Sequence, residues 1–183
     1  MESTIKYTIT FYAQWHCGSG TAAGADLDAL VIKDKNEMPF IPGKTLKGLI
    51  REAVENLIQL EGKTDTLQAE VEEAFGKEGD QTGCLHFSNA TMKEQEYQAI
   101  VSHKAQQYLF NKVTTTSIGK DGVAKDHSLR SMETVVPCEL QAEISDVPTE
   151  LRDTIVRAFG LIKRMGLKRN RGLGRCEIKV KED

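Results

Sequence analysis

The stretch "VVPCELQAEISDVPTELRDTIVRAFGLIKRM", residues 135–165, changes its hydrophobic period part-way along. In the first part Val136, Cys138, Leu140, Ala142 and Ile144 fall on every second position, the period of a half-buried strand. In the second part Leu151, Ile155, Ala158, Phe159 and Ile162 recur at helical spacing, with Thr149 placed to cap the helix. A strand feeding an amphipathic helix is half of a larger unit, and the rest of the chain supplies the other half.

"IKYTITFYAQW", residues 5–15, alternates cleanly: Ile5, Tyr7, Ile9, Phe11, Ala13 and Trp15 point one way, Lys6, Thr8, Thr10, Tyr12 and Gln14 the other. In "IPGKTLKGLIREAVENLIQL", residues 41–60, Leu46, Leu49, Ile50, Ala53, Val54, Leu57 and Ile58 form one helical stripe behind Pro42-Gly43. "GCLHFSNA", residues 83–90, reads as a short strand with Leu85 and Phe87 inward. "RCEIKV", residues 175–180, reads as a last strand carrying Cys176, Ile178 and Val180. The order β-α-β-β-α-β predicts an α+β, ferredoxin-like (RRM-like) fold, one four-stranded antiparallel sheet with two helices on one face.

The chain, 1–183, reads as a single domain with two insertions, about 17–40 and about 111–134. The first is a Gly- and Ala-punctuated loop with a short strand around Ala29–Lys33. In the second, "VTTTSI" and "SMETVV" flank turn chemistry at Lys120-Asp121-Gly122, which predicts a protruding hairpin or a disordered arm. Residues 61–82 are polar with a helical patch around Leu67–Phe75, and 90–110 read as part helix.

Hydrophobic residues make up 39% and charged residues 28%, as in ordinary globular domains. Neither an apolar run of spanning length nor a basic-then-apolar leader is present, so the expectation is a cytoplasmic protein that does not enter membranes. Cys17, Cys84, Cys138 and Cys176 form no C-x-x-C pair and stand at no finger spacing from a histidine, which predicts reduced thiols rather than a zinc site. The net charge of −3 excludes a surface given over wholly to nucleic acid, but not a local basic face.

Such a face is written into "MGLKRNRGLGR", residues 165–175. Lys168, Arg169, Arg171 and Arg175 are interleaved with Gly166, Gly172 and Gly174, and Lys163 and Arg164 precede them. Arginine forks suit phosphates, and glycines let a backbone approach a ligand. The start of the first helix offers a second anion site, its free N–H groups joined by Lys44, Lys47 and Arg51. The first insertion carries Asp26, Asp28 and Asp34, carboxylates able to hold Mg²⁺ or orient a 2′-hydroxyl. His16, His86, His103 and His127 are candidate proton carriers with no partner at recognisable spacing; His16, just past the first strand, is the best placed.

These residues resemble a known family. Four blocks in order, "IPGKTLKGLIREA" (41–53), "AFGKEGDQTGCLHFSNA" (74–90), "TSIGKDGVAKDHSLRSMETVVPCELQAEI" (116–144) and "GLIKRMGLKRNRGLGRCEI" (160–178), are similar to the RAMP superfamily of CRISPR-associated proteins. Within it the chain is most similar to the repeating backbone subunit of type III (Csm and Cmr) effector complexes, with Asn89 where Asp is usual and a shorter chain. The resemblance implies copies stacked along a guide CRISPR RNA, each holding about six nucleotides and flipping one base with a thumb, while base pairing reads the target. Guide RNA, complementary target RNA, other copies of the chain and other effector subunits are the implied partners. The basic loop and Lys44, Lys47 and Arg51 would grip RNA backbone; Arg130 and Met132 of the thumb would distort the target.

The resemblance further implies a metal-dependent endoribonuclease, with Mg²⁺ or another divalent cation held by an Asp of the first insertion. In "AGADLDALVIKD", residues 23–34, counting back from Val31-Ile32-Lys33-Asp34 selects Asp28, and counting forward from Gly24 selects Asp26; the following strand favours Asp28. A non-catalytic RNA-binding subunit and a guide-processing endoribonuclease using histidine are the alternatives.

Overall fold

In a computed structural model the chain is described over residues 3–20, 28–77, 81–125 and 128–181. The elements run β1 (Ser3–Phe11), α1 (Gly43–Leu60), α2 (Thr64–Phe75), β2 (Gly76–Lys77), β3 (Gln81–Thr82), β4 (His86–Phe87), α3 (Glu94–Ser102), β5 (Phe110–Thr115), β6 (Arg130–Val135), β7 (Glu139–Val147), α4 (Thr149–Ala158) and β8 (Cys176–Val180). One four-stranded sheet has the order β4-β7-β1-β8, with every pairing antiparallel.

The alternation in β1 sets the core. Ile5, Tyr7 and Ile9 face Ile144, Ala142 and Leu140 of β7, while Ile9 and Phe11 face Ile178 and Cys176 of β8. All of these are buried, and the apolar stripes of α1 (Leu46, Ile50, Val54, Ile58) and α4 (Leu151, Ile155, Ala158) join them in one cluster. Tyr7 and Phe159 meet ring to ring at 5.0 Å. Each such buried aliphatic side chain contributes roughly 1.5–3 kcal/mol, so the period-2 and period-3.6 patterns carry the fold.

Several boundaries differ from expectation. The first strand stops at Phe11; beyond it Trp15 leaves the sheet and exchanges both backbone hydrogen bonds with Val135. The stretch 135–144 is not one strand. Pro137 has no N–H to give a ladder, so Val135 ends β6 and the sheet strand restarts at Glu139. Thr149 does not cap α4: the Pro148 carbonyl accepts the first helical bonds, from Leu151 and Arg152, and Pro148 holds the cap position. Around Ala29–Lys33 there is no continuous strand, only isolated bridges from Ala29 to Met132, Val31 to Gly18 and Lys33 to Pro39. The expected patch at 67–75 is the longer α2, and 90–110 contains α3.

The second insertion is an antiparallel hairpin, β5 with β6. Its base is not a free arm. Ser131, Met132, Thr134 and Val135 are buried: the segment from Asp28 runs parallel beside Ser131 and Met132, and Gln14 and Trp15 meet Thr134 and Val135. The far end exposes Ile118, Val123 and Leu129. Burial pushes the Cys138 and Cys176 thiols up to about 11, keeping them protonated. Among the described residues no helix is long and apolar enough to cross a membrane.

Candidate nucleic-acid interface

The glycine loop is pinned to its own chain before it can meet anything else. Met165 and Ile162 anchor it in the core. The Met165 N–H donates to the Gly174 carbonyl at 2.9 Å, and the Gly174 N–H to the Gln14 carbonyl at 2.7 Å. A Cβ on Gly166 would stand 2.2 Å from the His16 carbonyl oxygen, and one on Gly174 only 1.8 Å from that of Met165, both at positive φ. These two glycines therefore serve close packing of backbone on backbone rather than approach to a ligand. Gly172 is different: its φ is +92° and the space around it is open.

The pinned loop displays its cations. Lys163, Arg164, Arg169, Arg171 and Arg175 are exposed. Lys168, half-buried, donates to Thr115 Oγ1 at 2.9 Å and so ties the loop to the hairpin. Arg175 lies over the Tyr12 ring at 5.8 Å. Among the described residues no carboxylate forms an ion pair with any of these six, in contrast to Arg157, Lys93 and Lys33, which are all paired.

At the start of α1 the geometry is more divided. The Gly43 N–H is taken by Asn89 Oδ1 at 2.9 Å, and the Thr45 and Leu46 amides donate to the Pro42 carbonyl. The helix start thus has its first amide capped from a distant loop, and anion binding there rests on side-chain charge. Lys44 is exposed and Lys47 half-buried. Arg51 is engaged elsewhere: its Nε donates to Glu55 at 2.7 Å and its Nη1 to the Gly76 carbonyl at 2.9 Å, clamping α1 to β2. It leaves the expected phosphate group of residues for a structural one.

Lys44 and Arg169 meet across one cleft of about 420 Å³. Its floor is Phe11 stacked on Trp15 at 4.7 Å, with His16 beside them. Arg169 also borders a second hollow with Lys163 and Arg164, and these two border a third with Tyr12 and Arg175. Three adjoining hollows thus share one cationic rim. Local potential of this kind concentrates anions whatever the net charge of the chain.

The two described acidic candidates, Asp28 and Asp34, are held by different partners. Asp26, like His127, lies outside the described residues. Asp28 is exposed; its N–H donates to the Ser131 carbonyl at 2.8 Å, and its Oδ2 accepts the Ser131 N–H at 2.7 Å. Asp34 holds a turn instead: burial alone would raise its carboxyl, but bonds from Tyr97, Met38 and Asn36 outweigh that and keep it low. Arg130 is exposed. Met132, expected with Arg130 at the RNA, is 3% exposed and lies beside Ala29 of the Asp28 segment rather than on the open face of the hairpin. Among the described residues no three metal-binding side chains cluster. His86 pairs with Asp146 at the sheet edge, and His103 with the carbonyl of Ala99.

Two residues organise the site: Asn89, noted in the sequence only for standing where Asp is usual, and Glu133, which the sequence did not single out. Asn89 caps α1 from 46 residues away. Glu133 accepts the Val31 N–H at 3.1 Å and Lys33 Nζ at 2.9 Å, and its own N–H donates to the Ala29 carbonyl. It brackets the segment that carries Asp28. Glu133→Ala strands the Val31 amide and is expected to cost about 2 kcal/mol in urea unfolding, Glu133→Gln about half as much because it keeps an acceptor. Equal stability of both variants and wild type would contradict this bracket. Neither role has a local sequence signal, since both depend on contacts across the fold.

Fold and face together define a small domain of mixed helix and antiparallel sheet with a cationic, apolar-floored cleft. The chain belongs to the RAMP superfamily: residues 8–177 match that family. Among solved structures it is similar to a chain of the type III-B Cmr-beta complex bound to cognate target RNA, at 20% identity and a TM-score of 0.69, over 98% of this chain and 60% of the other. It spans about three-fifths of that relative's length. It is also similar to a chain of the apo Cmr-beta complex, at 12% identity and a TM-score of 0.70, over 98% of both chains. A search of curated proteins finds no match.

Proposed function

We propose that this chain is an RNA-binding backbone subunit of a type III CRISPR effector complex, holding guide RNA along its cationic face and cutting paired target RNA. The observation that carries the binding half is the meeting of Lys44 and Arg169 across one cleft, on a rim of cations that form no ion pair among the described residues. Membership of the RAMP superfamily and likeness to Cmr-beta chains support the same reading. We read the sheet order β4-β7-β1-β8 as the ferredoxin-like arrangement and the β5–β6 hairpin as the thumb, with other copies and other effector subunits as partners in the cytoplasm.

For cutting, Asp28 fits a divalent cation by its donor chemistry. Its carboxylate is exposed, and its Oδ1 forms no hydrogen bond among the described residues. Mg²⁺ commonly takes one or two carboxylates and completes its shell with phosphate oxygens and water. When bound there, it would polarise the scissile phosphate. Asp28 would hold that cation or accept the proton of a ribose 2′-hydroxyl; the 2′-oxygen bonds to the adjacent phosphorus, the bond to the 5′-oxygen breaks, that oxygen takes a proton from water and leaves as a 5′-hydroxyl, and a 2′,3′-cyclic phosphate remains. A second reading is a non-catalytic RNA-binding subunit, in which the Asp28 carboxylate serves to anchor its segment to β6 through the Ser131 N–H.

The purified complex, given target RNA matching its guide, separates the two. The nuclease reading expects fragments at a regular spacing of about six nucleotides with Mg²⁺ and none with EDTA. Intact target despite tight binding sinks it and leaves the scaffold.

A further inference from the structure

His16 is 2% exposed, yet it lines the cleft between α1 and the glycine loop. Its Nδ1 lies 2.6 Å from the Glu133 carbonyl oxygen. A carbonyl oxygen only accepts, so Nδ1 carries the hydrogen. In the neutral ring Nε2 is then left with a lone pair, and nothing among the described residues donates to it. A Cβ on Gly18 would stand 3.2 Å from Nε2, so the glycine there leaves that nitrogen uncovered. The bond partner is itself fixed, because Glu133 is held through Lys33, Val31 and Ala29.

The surroundings narrow what could satisfy this acceptor. Phe11, Trp15, Leu49 and Met165 give apolar walls, Lys44 and Arg169 give the cationic rim, and Glu52 is the one carboxylate of the lining among the described residues. A phosphate oxygen cannot donate to Nε2, and the two cations stand ready for it. A deoxyribose offers no donor at C2′. A ribose does, on the same unit that brings a phosphate for the cations and a base for the walls. At about 420 Å³ the cleft is of ordinary size for a small-ligand site.

We infer that the cleft holds one ribonucleotide unit and that His16 Nε2 accepts a hydrogen bond from its 2′-hydroxyl, making His16 the residue by which this face distinguishes RNA from DNA. The inference rests on the RNA-binding reading proposed above and adds to it a specificity that phosphate contacts alone lack.

The test uses three oligouridylate probes of one length: ribose, 2′-deoxy, and 2′-fluoro, which keeps RNA-like sugar pucker but cannot donate. The full chain should bind the ribose probe roughly two- to tenfold more tightly than the other two, the range of one net hydrogen bond. In His16→Ala the preference should collapse to near parity. His16→Gln, which keeps a donor for Glu133 and an acceptor for the hydroxyl, should restore part of it. Thermal melts accompany each variant because the ring is buried, and the wild-type comparison needs no variant at all. Equal wild-type binding of ribose and 2′-fluoro probes, or an unchanged preference in folded His16→Ala, overturns the inference alone. If no probe binds in a salt-dependent way, the RNA reading falls, and this inference with it.

Discussion

Gly174→Ala should destabilise the domain by about 3–5 kcal/mol, whereas Gly172→Ala, two residues away in the same loop, should cost only about 1–2 kcal/mol. Both glycines have positive φ, so both variants carry the left-handed backbone strain. Only at position 174 does the new Cβ also fall 1.8 Å from the Met165 carbonyl oxygen and 2.9 Å from its carbon. Those are backbone atoms, held in place by the bonds from Met165 N–H to the Gly174 carbonyl and from Gly174 N–H to the Gln14 carbonyl, and they cannot swing aside. A loss of that size is a large part of typical domain stability of 5–15 kcal/mol. Thermal or urea unfolding of the two variants side by side measures it. RNA affinity should fall with Gly174→Ala even in protein that remains folded, because the displaced loop carries Arg169 away from Lys44. Equal stability losses at the two positions would contradict this account of the loop.

Asp28→Asn should lower metal-dependent cleavage of target RNA at least about a hundredfold, the low end of what a positioned proton acceptor contributes. Binding of guide and target should stay within about twofold. Asparagine is the informative replacement. Its side-chain oxygen still accepts the Ser131 N–H, so the segment remains anchored to β6 while the negative charge is lost. Asp28→Ala removes both and mixes the two effects. Cleavage at wild-type rate by Asp28→Asn would move the role to Asp26, and wild-type cleavage by the double variant would end the nuclease reading. The assay is the target digestion in the purified complex, compared by initial rates.

The core was legible in the sequence because it is written locally. Ile5, Tyr7, Ile9 and Phe11 alternate, Leu46, Ile50 and Val54 follow a helical stripe, and both patterns reach the same core as read. The hairpin ends were legible from turn chemistry. What was not legible depends on residues far apart in the chain. Arg51 looked like part of a cationic helix face until Gly76 supplied a carbonyl for it. Met132 looked exposed on a hairpin until the Asp28 segment lay across it. The loop glycines looked like ligand contacts, yet Gly166 and Gly174 press on His16 and Met165. His16 drew notice only as an isolated histidine, because the Glu133 carbonyl that fixes its tautomer lies 117 residues away. Periodicity reports which side faces in, and it is silent on which distant polar group meets which.

The central claim is that this cationic face binds RNA through phosphate contacts, and a salt titration of single-stranded RNA binding tests it most directly. Wild type is compared with Arg169→Ala/Arg171→Ala, both exposed side chains whose loss should leave the fold intact. Each phosphate contact contributes about 0.7 to the slope of log affinity against log salt on single strands, so the double variant should bind more weakly with a slope shallower by about 1.4. An unchanged affinity and an unchanged slope would contradict the account.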